Sequence, residues 1–267
     1  TAPDGFTKSL KIDCTTIDST IATLQRLIVT TKIEGNNIAH LGFGSSAAKN
    51  VVLSFYVKSN LTGSFSGAIS NSANNRVYIY SYTINSANTW ERKTIPIVGD
   101  TTGTWLTTNG IGLNITWALA LGATYGGTAG AWGTVDKNGA TNQVNFLSST
   151  DNEWLITGAQ LEVDNGSGVA TDFEHRSFAE ELTLCQRYYY SLKPATSALE
   201  QTGTAAHYKV IRNGTTSTCS SVPTFLGDPN NTSQSVAFNF NGSLTQGEGG
   251  LGRSGNASAF LGFSAEL

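Results

Sequence analysis

The chain is poor in charge and in cysteine, and it contains no methionine. Of its 267 residues 13% are charged and three are cysteine. Soluble domains usually carry about 25% charged residues, so this is not the profile of a charge-rich helical or disordered protein. With a net charge of −3 there is no basic surface for nucleic acid. The lack of methionine, even at position 1, predicts a processed chain or the C-terminal part of a longer protein.

Long apolar runs and cysteine clusters are also absent. No run approaches the roughly 20 apolar residues of a membrane helix, so no membrane insertion is expected. Cys14, Cys185 and Cys219 are odd in number and far apart, which predicts buried free thiols and not a disulfide framework or a metal site. Such thiols fit assembly in a reducing cytoplasm.

Glycine is abundant, with 29 residues, and Ser, Thr and Asn fill the turns between short apolar stretches. Strands at this spacing, with no helical pattern between them, predict an all-β fold of the jelly-roll sandwich kind. The stretch 21–33 has features of both a helix and a strand, and its β-branched residues favour a strand. The predicted strands are 6–12, 21–33, 51–59, 65–69, 76–84, 90–98, 110–121, 144–147 and 154–163.

A short helix is predicted from Ser177, because Glu180 follows three residues later and completes a capping box. It divides the chain into a jelly-roll domain, 1–176, and a smaller β domain, 177–267. Such a small domain buries little alone. The alternating Val236, Phe238 and Phe240 form an apolar face that we expect to contact other copies in a homotrimer. Strands are predicted there at 205–212, 218–226, 234–240 and 257–266.

The first candidate ligand surface is the run from Arg76 to Tyr82. Side chains alternate across a strand, so Arg76, Tyr78, Tyr80 and Tyr82 share one face. If the other face lies in the core, these residues form an exposed ladder suited to stacking and hydrogen bonding with a sugar. Tyr80→Ala should then weaken glycan binding and lower stability by no more than about 1 kcal/mol. The alternative is that the tyrosines pack in the core or against a neighbouring subunit.

The second candidate is the Gly-rich stretch 122–133, which carries Tyr125 and Trp132 and is predicted to be a long exposed loop. Aromatic residues on loops at the end of a rigid sandwich often bind partners. Trp105 is a further candidate for this surface. The alternative is ordinary packing at the strand ends.

Catalytic and metal-binding patterns are not found. His40, His175 and His207 show no metal-ligand spacing. A glycan-cleaving enzyme needs two carboxylates about 5–10 Å apart, and the sparse acids show no such pairing. The turn 164–166 (DNG) offers oxygen ligands for calcium, but a turn needs these residues in any case and they are too few for a calcium site. We therefore predict a non-enzymatic protein with no cofactor and no metal.

Several segments resemble one protein family. They are 158–162 (GAQLE), 170–177 (ATDFEHRS), 181–189 (ELTLCQRYY), 2–6 (APDGF), 33–37 (IEGNN), 53–59 (LSFYVKS), 82–85 (YTIN), 89–91 (TWE), 100–103 (DTTG) and 265–267 (AEL). Together they are similar to a run common in phage tail-fibre and other virion appendage proteins, especially of marine podoviruses and myoviruses. The similarity covers roughly the first two thirds of the chain. Ala159 replaces an expected valine, and the turn 164–169 is longer than usual.

This resemblance implies the distal part of a phage tail fibre or tail spike, exposed on the virion. Its implied partners are other virion tail proteins, two further copies of the chain and a glycan on the host surface. Two alternatives remain: a monomeric carbohydrate-binding module of a secreted enzyme, and a capsid decoration or structural adaptor without a receptor. A trimer would favour the fibre or decoration hypotheses, and a monomer would favour the module.

Overall fold

The computed structural model describes residues 2–186, with side chains to residue 184, and the backbone of six short strands beyond them. The chain divides into two compact units, Thr1–Glu174 and His175–Leu267. The strands of the first unit are β1 (Leu10–Asp13), β2 (Arg26–Glu34), β3 (Val51–Ser59), β4 (Gly63–Ser70), β5 (Val77–Ile84), β6 (Glu91–Ile97), β7 (Ile111–Leu121), β8 (Gly126–Gly127), β9 (Trp132–Gly133), β10 (Gly139–Ala140) and β11 (Glu153–Val163).

Helical structure is short. The helices are α1 (Gly35–Ile38) and α2 (Phe178–Gln186), and 3₁₀ turns occupy Ala39–Leu41, Ala123–Tyr125 and Phe146–Ser148. Among the described residues, no helix has the length and apolar composition needed to span a bilayer.

The two main sheets have the strand connections of a jelly roll. One has the order β1-β11-β3-β6 and the other β2-β7-β4-β5-β9. All neighbouring strands in both sheets are antiparallel. If β11 is counted as the eighth long strand, the sheets read 1-8-3-6 and 2-7-4-5, as expected of two interleaved Greek keys. The prediction of an all-β jelly-roll sandwich is confirmed.

The core lies between these two sheets and follows from the alternation of apolar side chains along the strands. Phe55 of β3, Phe65 of β4 and Trp154 of β11 are fully buried. Cys14 is a buried free thiol, as predicted. Pro96 lies in β6, an edge strand of its sheet, where the missing N–H costs no ladder hydrogen bond.

Three predicted strands differ clearly from the structure. The strand predicted at 21–33 begins at Arg26, because residues 22–25 form a turn in which the Gln25 N–H donates to the Ala22 carbonyl at 2.9 Å. Residues 144–147 do not form a strand, because the Asn145 side chain accepts a hydrogen bond from the Leu147 N–H at 2.9 Å and caps a 3₁₀ turn. The first strand begins at Leu10 and not at Phe6, because Phe6 packs its ring onto Tyr56 and Phe173 outside the ladder.

The second unit is described only in part. The capping box is present: the Ser177 N–H donates to Glu180, and the Glu180 N–H donates to the Ser177 hydroxyl. Val236 and Phe240 lie outside the described residues, and for Phe238 only its place in a strand is described. The six short strands are β12 (Tyr189–Leu192), β13 (Ala206–Lys209), β14 (Thr224–Leu226), β15 (Ala237–Asn239), β16 (Glu248–Gly252) and β17 (Leu261–Ser264).

Residues 122–145, here named the loop cover, lie across the outer face of the five-stranded sheet. The Gly130 N–H donates to the Ile79 carbonyl at 2.9 Å. The Ala140 N–H donates to the Ser66 hydroxyl at 2.7 Å. Ile79 and Ala140 belong to a small second apolar cluster beneath this cover. The stretch 122–133 is therefore partly packed on the sheet, in contrast to the free loop predicted for it.

Glu91 fixes the turn between β5 and β6. Its Oε1 accepts hydrogen bonds from the Asn85 and Ser86 N–H groups at 2.8 Å, and its Oε2 accepts one from Lys93. Burial by itself would raise the pKa of Glu91. The hydrogen bonds from Lys93, Ser86 and Asn85 outweigh burial and lower the pKa from 4.5 to about 2.

Glu91 should therefore contribute to stability above pH 4.5, and this contribution should be lost as the pH falls from 4.5 to about 2. We expect Glu91→Gln to lower the free energy of unfolding by about 1–2 kcal/mol at pH 7, and by less near pH 2. Urea unfolding at both pH values measures the difference. Asp4→Asn, at an exposed position, is the control. An equal loss at both pH values would contradict the assignment.

Candidate functional site

The predicted tyrosine ladder on β5 is buried, so the prediction of an exposed sugar-binding face is wrong. Tyr78, Tyr80 and Tyr82 have exposed fractions of 8%, 2% and 5%. The tyrosine face of β5 packs on the opposite sheet. On the other face Val77 and Ile79 lie beneath the loop cover, whereas Ser81 and Thr83 are exposed.

The tyrosines are held by specific contacts in the core. Tyr82 packs edge-on against Phe55, with ring centroids 5.1 Å apart, and stacks on Phe65 at 5.8 Å. The Tyr80 hydroxyl donates to the main-chain carbonyl of Thr116 at 2.8 Å. Burial raises the pKa of both phenols above the ordinary tyrosine value. These residues therefore contribute to stability and do not reach a ligand.

Arg76 lies at the end of the sandwich and pairs with Asp100. Its Nε donates to Asp100 Oδ2 at 2.7 Å and its Nη2 donates to Oδ1 at 2.6 Å. The Trp105 indole N–H also donates to Oδ2, at 3.2 Å. Burial alone would raise the pKa of Asp100, but hydrogen bonds from Arg76 and Thr102 lower it. The guanidinium is engaged in this bidentate pair, which leaves Arg76 a structural role.

Trp132 lies in a cluster of aromatic rings beside this ion pair. Its ring makes edge contacts with Phe43, Tyr78 and Trp105, at centroid distances of 5.9, 5.4 and 5.5 Å. Its indole N–H donates to the carbonyl of Val98 at 2.8 Å. Trp132 is only partly buried, and Val98 has an exposed fraction of 53%. We name these five residues the Trp132 cluster. It presents a rigidly held aromatic ring at the surface.

Tyr125 lies in a second, polar cluster. The Arg26 guanidinium lies over the Tyr125 ring at 4.2 Å from its centroid. Arg26 also donates to Asn138 and lies 3.6 Å from an Asp136 carboxylate oxygen. Arg26 and Asp136 keep 34% and 43% of their side chains exposed. We name these four residues the Arg26 cluster. It combines an aromatic ring with donors and acceptors.

The two clusters lie over opposite edges of the five-stranded sheet. Arg26 begins β2, at one edge, while Trp132 belongs to β9, at the other. The structure therefore places Tyr125 and Trp132 in separate surfaces. Trp105 is buried beneath Trp132, with an exposed fraction of 7%. Arg26 and Asp136 were not predicted as site residues, because nothing local in the sequence brings them to Tyr125.

Within the described part of the chain, no group of three or more His, Cys, Asp and Glu residues is placed to hold a metal ion. His40 and His175 are exposed, and the side chain of His207 lies outside the described part. Asp164 accepts hydrogen bonds from the Gly166 and Gly168 N–H groups, both at 2.9 Å, so it stabilises its own turn.

Comparison with known proteins leaves the family undetermined. No protein-family model matches the chain, and no curated protein sequence matches it.

Proposed function

We propose that this chain is the distal part of a phage tail fibre or tail spike that binds a host-surface glycan without cleaving it. The motifs in Sequence analysis support the setting on a virion, and the low charge and dense turns suit a rigid external component. The observation that carries the glycan proposal is the loop cover, which presents Trp132 and Tyr125 at the two rims of a jelly roll. Both aromatic residues are partly exposed and held in place by neighbouring side chains.

The two clusters offer the two kinds of contact that sugars use. The Trp132 ring is apolar and its N–H is already bonded to Val98, so it can accept the C–H face of a sugar by stacking. The Arg26 guanidinium has five N–H donors, and Asp136 is an acceptor. The hydroxyl groups of a sugar both donate and accept, so they match this pair. Stacking at one rim and hydrogen bonding at the other suit an extended glycan more than a single sugar.

Several copies would strengthen weak sugar contacts by avidity. We propose a homotrimer, whose contacts include Val236, Phe238 and Phe240. Light scattering after size exclusion measures the mass of the full chain in solution. A trimer would support the fibre proposal. A monomer, if the upstream chain is not needed for assembly, would favour a carbohydrate-binding module of a secreted enzyme.

The glycan proposal is tested with an array of bacterial surface polysaccharides and the purified full chain. For the polysaccharide that the unsubstituted chain binds on the array, Tyr125→Ala should weaken the affinity about three- to tenfold, because it removes a ring contact of about 1 kcal/mol. Trp132→Ala should do the same or more. Melting temperatures identify any variant that loses binding by unfolding. Trp90→Ala is the matched control, because Trp90 is a partly exposed tryptophan directly before β6, at the other sheet. Binding unchanged in both loop variants would contradict the proposed surfaces. No binding by the unsubstituted chain would favour the structural-adaptor alternative.

A further inference from the structure

The two ends of the sandwich unit meet on the outer face of the four-stranded sheet. The Phe6 ring, before β1, packs edge-on against the Phe173 ring, after β11, with centroids 5.0 Å apart. Phe6 also packs against Tyr56 of β3 at 5.4 Å. The Arg92 guanidinium lies 5.9 Å from the centroid of the same Tyr56 ring. An aromatic cluster outside the main core therefore joins the beginning and the end of the unit.

Gly158 creates the space for this cluster. It has a φ of 58°, and the pairing of β11 with β3 shifts between Thr157 and Gln160. A Cβ atom at Gly158 would lie 2.5 Å from Cζ of Phe6. Beside it, the Thr157 hydroxyl donates to the Lys8 carbonyl at 2.9 Å. The irregular part of β11 thus holds the N-terminal segment in place.

The regular part of β11 holds the segment that leaves the sandwich. Glu162 accepts hydrogen bonds from the N–H and the hydroxyl of Thr171, at 2.8 and 2.6 Å. Gln160 accepts one from the Glu174 N–H at 2.8 Å. Arg92 donates to the Thr171 carbonyl. The side chains of β11, together with Arg92 of β6, therefore fix the main chain of residues 171–174 beside Phe6.

We infer that these residues form a clasp that makes the entry and the exit of the sandwich open and close together. The clasp consists of Phe6, Tyr56, Gly158, Gln160, Glu162, Thr171 and Phe173. A force that pulls the two ends of the unit apart acts on the contacts of the clasp before it acts on the hydrogen bonds of the main sheets. The inference is independent of glycan binding.

Hydrogen exchange on the full chain tests this coupling, because each change is made at one end and measured at the other. Phe6→Ala should raise the exchange rates of the Thr171 and Glu174 amides about three- to tenfold. Phe173→Ala should raise the rate of the Phe6 amide, which donates to the Pro3 carbonyl at 3.1 Å, by a similar factor. Amides in β5 report whether the sandwich itself remains folded.

Val169→Ala is the matched control, because Val169 lies on the leaving segment with an exposed fraction of 64%. It should leave the rates at both ends unchanged. Faster exchange only at the substituted end, in both phenylalanine variants, would overturn the inference. Optical-tweezers pulling with handles at Asp4 and Glu174 should show a separate early opening in the unsubstituted chain that is absent in Phe6→Ala. A single event in both chains would overturn the mechanical role.

Discussion

Replacement of Asp100 by alanine is expected to lower the free energy of unfolding by about 3–5 kcal/mol. The change leaves the Arg76 guanidinium, with 16% of its side chain exposed, without its carboxylate. It also removes one of the two acceptors of the Trp105 indole N–H and the acceptor of the Thr102 N–H. Unpaired buried charge is more costly than a lost hydrogen bond, because the charge keeps its desolvation penalty. Urea unfolding at pH 7 measures the effect.

Two further variants separate charge from shape at this site. Asp100→Asn keeps the size of the side chain, and we expect it to lose most of the same free energy. The double variant Arg76→Met with Asp100→Leu removes both charges, and we expect it to regain at least about half of the lost free energy of unfolding.

Because the folded pKa of Asp100 is lowered, its contribution to the free energy of unfolding is present above the unfolded pKa and is lost as the pH falls through the folded value. A single alanine variant as stable as the unsubstituted chain would contradict this account.

Replacement of Tyr80 by alanine should lower the free energy of unfolding by about 3–5 kcal/mol, because it leaves a cavity in a packed core. This reverses the expectation drawn from the sequence. The ring lies across Gly67, where a Cβ atom would collide with the Tyr80 hydroxyl and the Thr116 carbonyl. Gly67 belongs to β4, which pairs with β5 on one side and β7 on the other, so its backbone cannot easily move into the space.

Tyr80→Phe is the matched variant, since it keeps the ring and removes only the hydrogen bond to Thr116. We expect it to cost about 1 kcal/mol. Thermal unfolding and urea titration measure both variants, and the polysaccharide array measures their binding. Neither variant should change glycan affinity while it is folded. A stable Tyr80→Ala chain that has lost glycan binding would show that the tyrosine face is functional and not core.

Much of the strand pattern could be predicted because it depends on residues close in sequence. The segment Val51–Ser59 was predicted with its observed bounds, since its side chains alternate and turns flank it. The capping box at Ser177 is likewise local. Residues 144–147 were predicted wrongly, because the side chain of Asn145 competes with the ladder for the main-chain N–H groups.

The candidate site was less predictable than the strands. Tyr125 and Trp132 were identified from their Gly-rich surroundings, and both are partly exposed in the structure. Arg26 and Asp136, which complete one cluster, are far apart in sequence, since Arg26 begins β2 and Asp136 follows β9. The clasp was visible only as two motifs, and their hydrogen bonds come from the return of residues 170–174 to β11.

By itself the sequence determined most of the long strands and that they form a jelly roll, because alternation and turn residues act within a few positions of each other. It did not determine which face of β5 packs against the opposite sheet. Alternation defines two faces equally well, and the loop cover and the opposite sheet that bury them come from distant parts of the chain. Only the tertiary structure decided that the tyrosines of β5 lie in the core, and that Trp132, Tyr125 and Arg26 are at least partly exposed.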